Sequence, residues 1–234
     1  MLSYSGQSEV KTSSGSKRRV LLIDDHAIFR KGLRQLIEVE RDLEVCGETG
    51  SALKALTFLK SLKPDMVILD IMLQDGNGLD LTKEIQMRRP GIPVLILSMC
   101  DEAIYGQRVL AAGGRGFVMK HQAPDILIKA ARVLLSGKIY VSETVFSRYF
   151  DRIVGPRRKN TSSSLDALSD RELEVFMLIG AGHKNRHIAE KLYISVSTVE
   201  TYQSHIEKKL GLRNADELLQ YAIHCNENRL KHKS

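Results

Sequence analysis

Short apolar runs set the rhythm of the first half of the chain, and each ends in a polar side chain. Val20-Leu21-Leu22-Ile23 stops at Asp24-Asp25, Met66-Val67-Ile68-Leu69 at Asp70, Val94-Leu95-Ile96-Leu97 at Ser98, and Gly116-Phe117-Val118-Met119 at Lys120. Runs this short, without alternation, suit strands covered on both faces. The helical patterns between them predict a doubly wound parallel sheet in an α/β domain. Cys46 falls in the expected second strand as a buried residue. Residues 125–136, after Pro124 and before Gly137, read as a helix. Residues 141–154 leave room for one more short helix. Residues 155–164, with Gly155-Pro156, the basic triplet Arg157-Arg158-Lys159 and a run of serines, are a linker by composition.

From Leu165 onward the pattern is helical and compact. Ser169, with Glu172 three residues later, forms a capping box at the start of a helix that ends near Gly180 and Gly182. A short helix over residues 185–192, the turn Tyr193-Ile194-Ser195, and a third helix over 198–210 have helix-turn-helix dimensions. Ser197 is the expected cap of that third helix and Gly211 its stop. A fourth helix over 215–224 follows Asn214. The third helix divides by period. Val199, Tyr202, Ile206 and Leu210 suit a core, while Glu200, Thr201, Ser204 and Lys208 make a face of short, hydrogen-bonding groups. A helix entering a DNA major groove needs such a face, although a plain solvated face would look the same.

In parallel α/β sheets, ligands bind at the carboxyl ends of the strands, near a topological switch point. Asp24, Asp25, Asp70, Ser98 and Lys120 therefore converge on one sheet edge. Three carboxylates there repel one another unless a cation joins them, and a hard divalent ion such as Mg2+ is the natural counter-charge. With it in place, Asp70 is equipped to act as a nucleophile towards a phosphoryl group, with Lys120 and Ser98 on the phosphoryl oxygens.

Asp24-Asp25, Asp70, Ser98 and Lys120, at these spacings, resemble the receiver domain of two-component response regulators over about residues 19–137. The resemblance implies a five-stranded, flavodoxin-like sheet of order 2-1-3-4-5, with Asp70 accepting a phosphoryl group from a sensor histidine kinase. It implies Mg2+ on Asp24, Asp25, Asp70 and the Met72 carbonyl, and Ser98 with Phe117 as the switch pair. Where relatives carry Met-Pro after the acceptor, this chain has Leu73-Gln74, so the following loop is expected to be looser. Met72 and Cys100, at positions that influence attack by water in the family, point to a long-lived phosphoryl state.

A second resemblance covers about residues 166–224. Leu168-Ser169, Arg171-Glu172, Glu174-Val175, Ile188-Ala189, the stretch Ser197 to Tyr202, and Lys208, Leu210, Gly211, Leu212 are similar to the four-helix output domain of the NarL/FixJ (LuxR-type) subfamily. It implies that Glu200, Thr201 and Ser204 face bases and that Lys184, Asn185, Thr198, Lys208 and Lys209 lie near phosphates. Leu218, Leu219, Tyr221 and Ala222 would form a dimer contact that places two copies on paired half-sites. Relatives commonly have Lys or Arg at the position of Glu200, so a carboxylate there points to cytosine recognition or to exclusion.

Composition adds bounds. The 234 residues suit two domains: a tail over 1–17, a receiver over 18–140, a linker over 141–165 and a DNA-binding domain over 166–234. Net charge is +7, but residues 18–140 hold 18 basic and 15 acidic side chains and residues 156–234 hold 13 and 10, so bulk charge does not single out a DNA-binding domain. Three cysteines without metal spacing, no apolar run of membrane-spanning length and a polar N-terminal tail point to a reduced, cytoplasmic setting. The integrated expectation is a phosphorylation-controlled, DNA-binding transcription factor, not an enzyme in the ordinary sense, that dimerises on activation. A phosphohydrolase would carry Asp-x-Asp where this chain has Asp70-Ile71-Met72. The other alternative is a receiver that controls a protein-interaction module without binding DNA.

Overall fold

The computed structural model describes residues 16–99, 101–122, 124–154 and 164–231, with the backbone alone for 152, 154 and 226–231. The expected tail, apart from Ser16 and Lys17, lies outside the described residues, as do Cys100 and most of the linker.

The first unit alternates β1 Arg18–Ile23, α1 Ala27–Glu38, β2 Leu43–Thr49, α2 Ala52–Leu62 and β3 Met66–Asp70. A two-stranded hairpin follows, β4 Met72–Leu73 and β5 Gly76–Asn77, then α3 Gly78–Arg88, β6 Val94–Ser98, α4 Glu102–Ala111, β7 Gly116–Met119 and α5 Pro124–Leu135. The five long strands form one parallel sheet in the order β2-β1-β3-β6-β7, which is 2-1-3-4-5 when the hairpin is set aside. Every residue of β3 and β6 is buried, as unalternating apolar runs require. Cys46 is half-buried rather than buried, because β2 is the sheet's edge strand.

Helix α6, Glu143–Val154, lies in the segment expected to be linker, yet it packs on the first unit. A Cβ on Gly106 of α4 would fall 2.7 Å from the Val145 side chain, so the glycine is what allows the two helices their close approach.

A short 3-10 turn, Ser164–Ala167, opens the second unit, which continues with α7 Asp170–Gly180, α8 Asn185–Leu192, α9 Val196–Leu210 and α10 Ala215–Lys231. The capping box is present: Ser169 accepts from the Glu172 amide at 3.3 Å, and the Ser169 amide donates to Glu172 Oε2 at 2.6 Å. The expected cap of α9 is corrected from Ser197 to Ser195. The helix begins at Val196, and the Ser195 hydroxyl accepts from the Thr198 amide at 3.0 Å. Val199 and Ile206 are buried, with Tyr202 and Leu210 packed against them. Gly180 ends the helix for a reason of packing as well as of conformation. It is the last residue of α7, as expected of a helix that ends near Gly180 and Gly182, and a Cβ there would meet the Ala222 carbonyl oxygen of α10 at 2.5 Å. The left-handed residue past the end is Gly182, at φ +81°.

Because the obstacle at Gly180 is backbone, Gly180→Ala is expected to destabilise the second unit by about 1–3 kcal/mol, read as an earlier unfolding transition in denaturant.

Candidate phosphoacceptor site and nucleic-acid interface

Parallel register brings the first site together. Ile23 pairs with Leu69, Asp70 with Leu97, and Ser98 with Met119, so the residues after β1, at the end of β3, at the end of β6 and after β7 share one edge. Asp24, Asp70 and Ser98 are buried there. The Lys120 ammonium lies 2.7 Å from Asp24 Oδ2, 2.6 Å from Asp70 Oδ2 and 4.7 Å from the centre of the Phe29 ring. Burial pushes the Asp70 carboxyl up to about 6, with Asp24 adding to the rise and Lys120 opposing it. Burial lowers the Lys120 ammonium, but Asp70 and Asp24 outweigh it, so its pKa is raised and the charge is kept.

Asp24, Asp25, His26 and Asp70 each offer a ligand atom, and these atoms all lie within 4.8 Å of one another. Asp25 Oδ1 is buried and, although His26 Nδ1 is 2.8 Å away, makes no hydrogen bond. Hard carboxylate oxygens left short of donors fit a hard divalent cation. His26 was missed in the sequence, although it directly follows Asp25. The motif drew attention to the acids alone.

Phe117 is buried beside this edge, on β7. Met72, half-buried, begins the hairpin, and its amide donates to Asp70 Oδ1 at 3.3 Å. The expected looseness of this loop is overturned. Asp75, in the turn of the hairpin, accepts from Ser51 Oγ at 2.6 Å, from the Ala52 amide at 2.7 Å and from the Leu53 amide at 3.4 Å. Burial alone would raise the Asp75 carboxyl, but these bonds outweigh it and hold its pKa below the ordinary value. The loop is tied to the N-terminus of α2 by a carboxylate rather than stiffened by a proline.

In the second unit, Glu200, Thr201, Ser204 and Lys208 are exposed along α9, and Lys184 is exposed just before α8. Thr201 donates to the Ser197 carbonyl and Ser204 to the Glu200 carbonyl. Three residues expected near phosphates have partners within the chain, Thr198 with its hydroxyl 2.8 Å from that of Ser195. Asn185 exchanges two hydrogen bonds with Gln203, at 3.1 and 2.9 Å, clasping α8 to α9, and Lys209 pairs with Glu172 at 2.6 Å. Gln203 was not foreseen. It falls between the polar and core faces of its helix. The expected dimer contact needs correction. Leu218 and Ala222 are core residues facing α7, and Tyr221 is half-buried with its ring 5.8 Å from that of Phe176. Only Leu219 of the four is exposed.

Two family models match the chain: the response regulator receiver domain over residues 20–132, and the bacterial regulatory proteins of the luxR family over residues 166–222. The oxygen regulatory protein NreC of Staphylococcus aureus is 34% identical over 209 residues, covering 88% of this chain and 96% of that protein. Among solved structures, RcsB from Salmonella typhimurium is 29% identical with a TM-score of 0.63, covering 89% of this chain and 98% of that one. A second RcsB structure, bound to a promoter in the presence of a phosphomimetic, is also 29% identical, with a TM-score of 0.60 over 88% of this chain and 98% of that one.

Asp75→Ala is expected to speed hydrogen exchange at the Ala52 and Leu53 amides and through residues 71–77, while leaving β1 and β3 protected. Unchanged exchange would show that the loop is held by something else.

Proposed function

Since the chain belongs to the LuxR-type response regulators, phosphorylation-dependent DNA-binding regulators of transcription, we propose that Asp70 is its phosphoacceptor and a sensor histidine kinase its donor. The observation that carries this reading is the pairing of the Lys120 ammonium with both Asp24 and Asp70 at the edge where β1, β3, β6 and β7 end. Mg2+ would be held by Asp24, Asp25, Asp70 and the Met72 carbonyl, with His26 alongside, and would neutralise charge on the phosphoryl oxygens.

An Asp70 carboxylate oxygen attacks phosphorus. The new P–O bond forms as the P–N bond to the kinase histidine breaks, and the imidazole keeps the electron pair and takes up a proton. Lys120 turns from pairing two carboxylates to pairing the phosphoryl oxygens, Ser98 donates to a third oxygen, and the Phe117 ring follows the hydroxyl. The chain's own chemistry is limited to this transfer and to slow return of the phosphoryl group to water. Met72 offers no group to orient that water, so the phosphoryl state is long-lived.

In the second domain, Glu200, Thr201 and Ser204 read bases, with Lys184, Thr198 and Lys208 near phosphates. Asn185 and Lys209 reach phosphates only by leaving Gln203 and Glu172. Phosphorylation favours a homodimer on paired half-sites, with Leu219 as an exposed apolar residue of α10, in the cytoplasm.

Incubation with Mg2+ and a small acyl phosphate is expected to add one phosphoryl mass to the wild type, none to Asp70→Asn, and to shift the wild type towards dimer. An adduct that survives Asp70→Asn would refute the assignment, and decay of the wild-type adduct within seconds would refute the long lifetime. In DNA binding, Lys208→Ala is expected to weaken affinity evenly across sequences and to reduce the salt slope by about 1. Glu200→Ala is expected instead to change the sequence recovered from a random pool, and an unchanged preference would remove Glu200 from readout.

A further inference from the structure

Helix α7 is buried from Glu172 to Ile179 without a break. A helix of a small four-helix domain normally buries one face. Here the receiver covers part of the remainder, and the apolar cores of the two domains run together. Three residues at the start of the second domain make polar bonds to the receiver. Asp170 pairs with Arg108 of α4 at 2.8 Å and Lys83 of α3 at 3.3 Å, and the Leu165 carbonyl accepts from Arg108 at 2.8 Å. The third, Glu174, is fully buried. Its Oε2 accepts from Arg171 at 2.7 Å and its Oε1 from Asn77 Nδ2, across the domain boundary, at 2.5 Å.

The orientation of the Asn77 amide is set by a second duty. Its Oδ1 accepts from the Leu79 and Asp80 amides at 2.7 and 3.3 Å, capping α3. Only Nδ2 is left to face Glu174, so the receiver presents a donor there and the output domain must present an acceptor. The same turn touches the phosphoacceptor. The Gly78 amide donates to the Ile71 carbonyl at 2.7 Å, and a Cβ on Gly78 would fall 2.3 Å from the Asp70 carbonyl oxygen.

We propose that Glu174, buried against Asn77 at the domain boundary, is a proton-sensitive latch between the two domains, whose docking is favoured by acid and weakened by alkali. Burial pushes the Glu174 carboxyl up to about 7, against the pull of Arg171 and the Asn77 bond, with Asp170 adding slightly to the rise. Among the described groups facing it, Arg171 and Asp170 are on its own helix, and Lys83 and Arg108 of the receiver are engaged with Asp170. Separation of the domains returns Glu174 to water and to its ordinary value of 4.5. The docked form therefore holds the proton to higher pH. Docking gains as pH falls below about 7, reaches its full strength below 4.5, and loses that gain above 7. Between pH 8 and pH 6 the docking equilibrium shifts roughly tenfold through this one group. The latch does not depend on which residue takes the phosphoryl group, so the two readings fail separately.

The test uses the full-length, unphosphorylated chain, with interdomain distance read by energy transfer between dyes on α5 and α10 at pH 6, 7 and 8. The wild type is expected to close by roughly tenfold from pH 8 to pH 6. Glu174→Gln, which cannot titrate, is expected to lose that dependence, and this separates Glu174 from every other titratable group. Asn77→Asp keeps the α3 cap but sets a carboxylate against Glu174, so it is expected to stand open at pH 8 and to close only in acid. A wild type indifferent to pH, a Glu174→Gln protein with the wild-type slope, or an Asn77→Asp protein closed at pH 8 would each overturn the proposal.

Discussion

One ammonium balances the negative edge of the sheet. Lys120 stands between Asp24 and Asp70, and without it two carboxylates would face each other in a pocket shielded from water. Protonation would then be the alternative to pairing, leaving a neutral carboxyl at the end of β3. The interaction demands much of the fold. β1, β3, β6 and β7 must end at one level, because a one-residue slip in any of them would turn its functional side chain away. The unbroken apolar runs, buried on both faces, are what hold that level.

The long elements and the acidic edge were readable because they rest on local signals: runs of four apolar residues, a polar residue at each end, and a capping box at Ser169–Glu172. What escaped depends on meetings between distant segments. Nothing near Asp75 in the chain says that Ser51 and Ala52 will reach it. The missing proline suggested a loose loop because the compensating bonds come from more than twenty residues away. Gly180 stands at the helix end that glycines mark, but its second role, admitting the carbonyl of Ala222, comes from a residue forty-two positions away. The family resemblance alone assigns Leu218 and Ala222 to a dimer contact, and only their packing against α7 shows that they turn inward. His26, adjacent to Asp25, was available in the sequence and was passed over because the acids explained the site without it.

The output domain shows the same economy of parts at its polar contacts. Glu172 completes the cap of α7 and also accepts from Lys209 at the end of α9, so one side chain fixes a helix start and a helix crossing. Burial raises the Glu172 pKa, but Lys209 and the Ser169 bonds outweigh it and hold its charge. Glu174, two residues on, has the opposite balance and lies in the opposite direction, towards the receiver. Neighbouring glutamates on one helix thus serve internal cohesion and interdomain contact respectively.

The packing of α6 on α4 sets the length of the tether. Because Val145 seats over Gly106, the chain leaves the receiver at Val154, and nine residues, 155–163, separate it from the first turn of the output domain. A tether of that length confines the two domains to an effective concentration in about the millimolar range. A handful of polar bonds that would be far too weak to join separate molecules is then enough to decide how the domains stand to each other. A bulkier residue at position 106 that lifted α6 away would lengthen the connection and dilute that contact without altering a single atom at the acidic sheet edge or on α9.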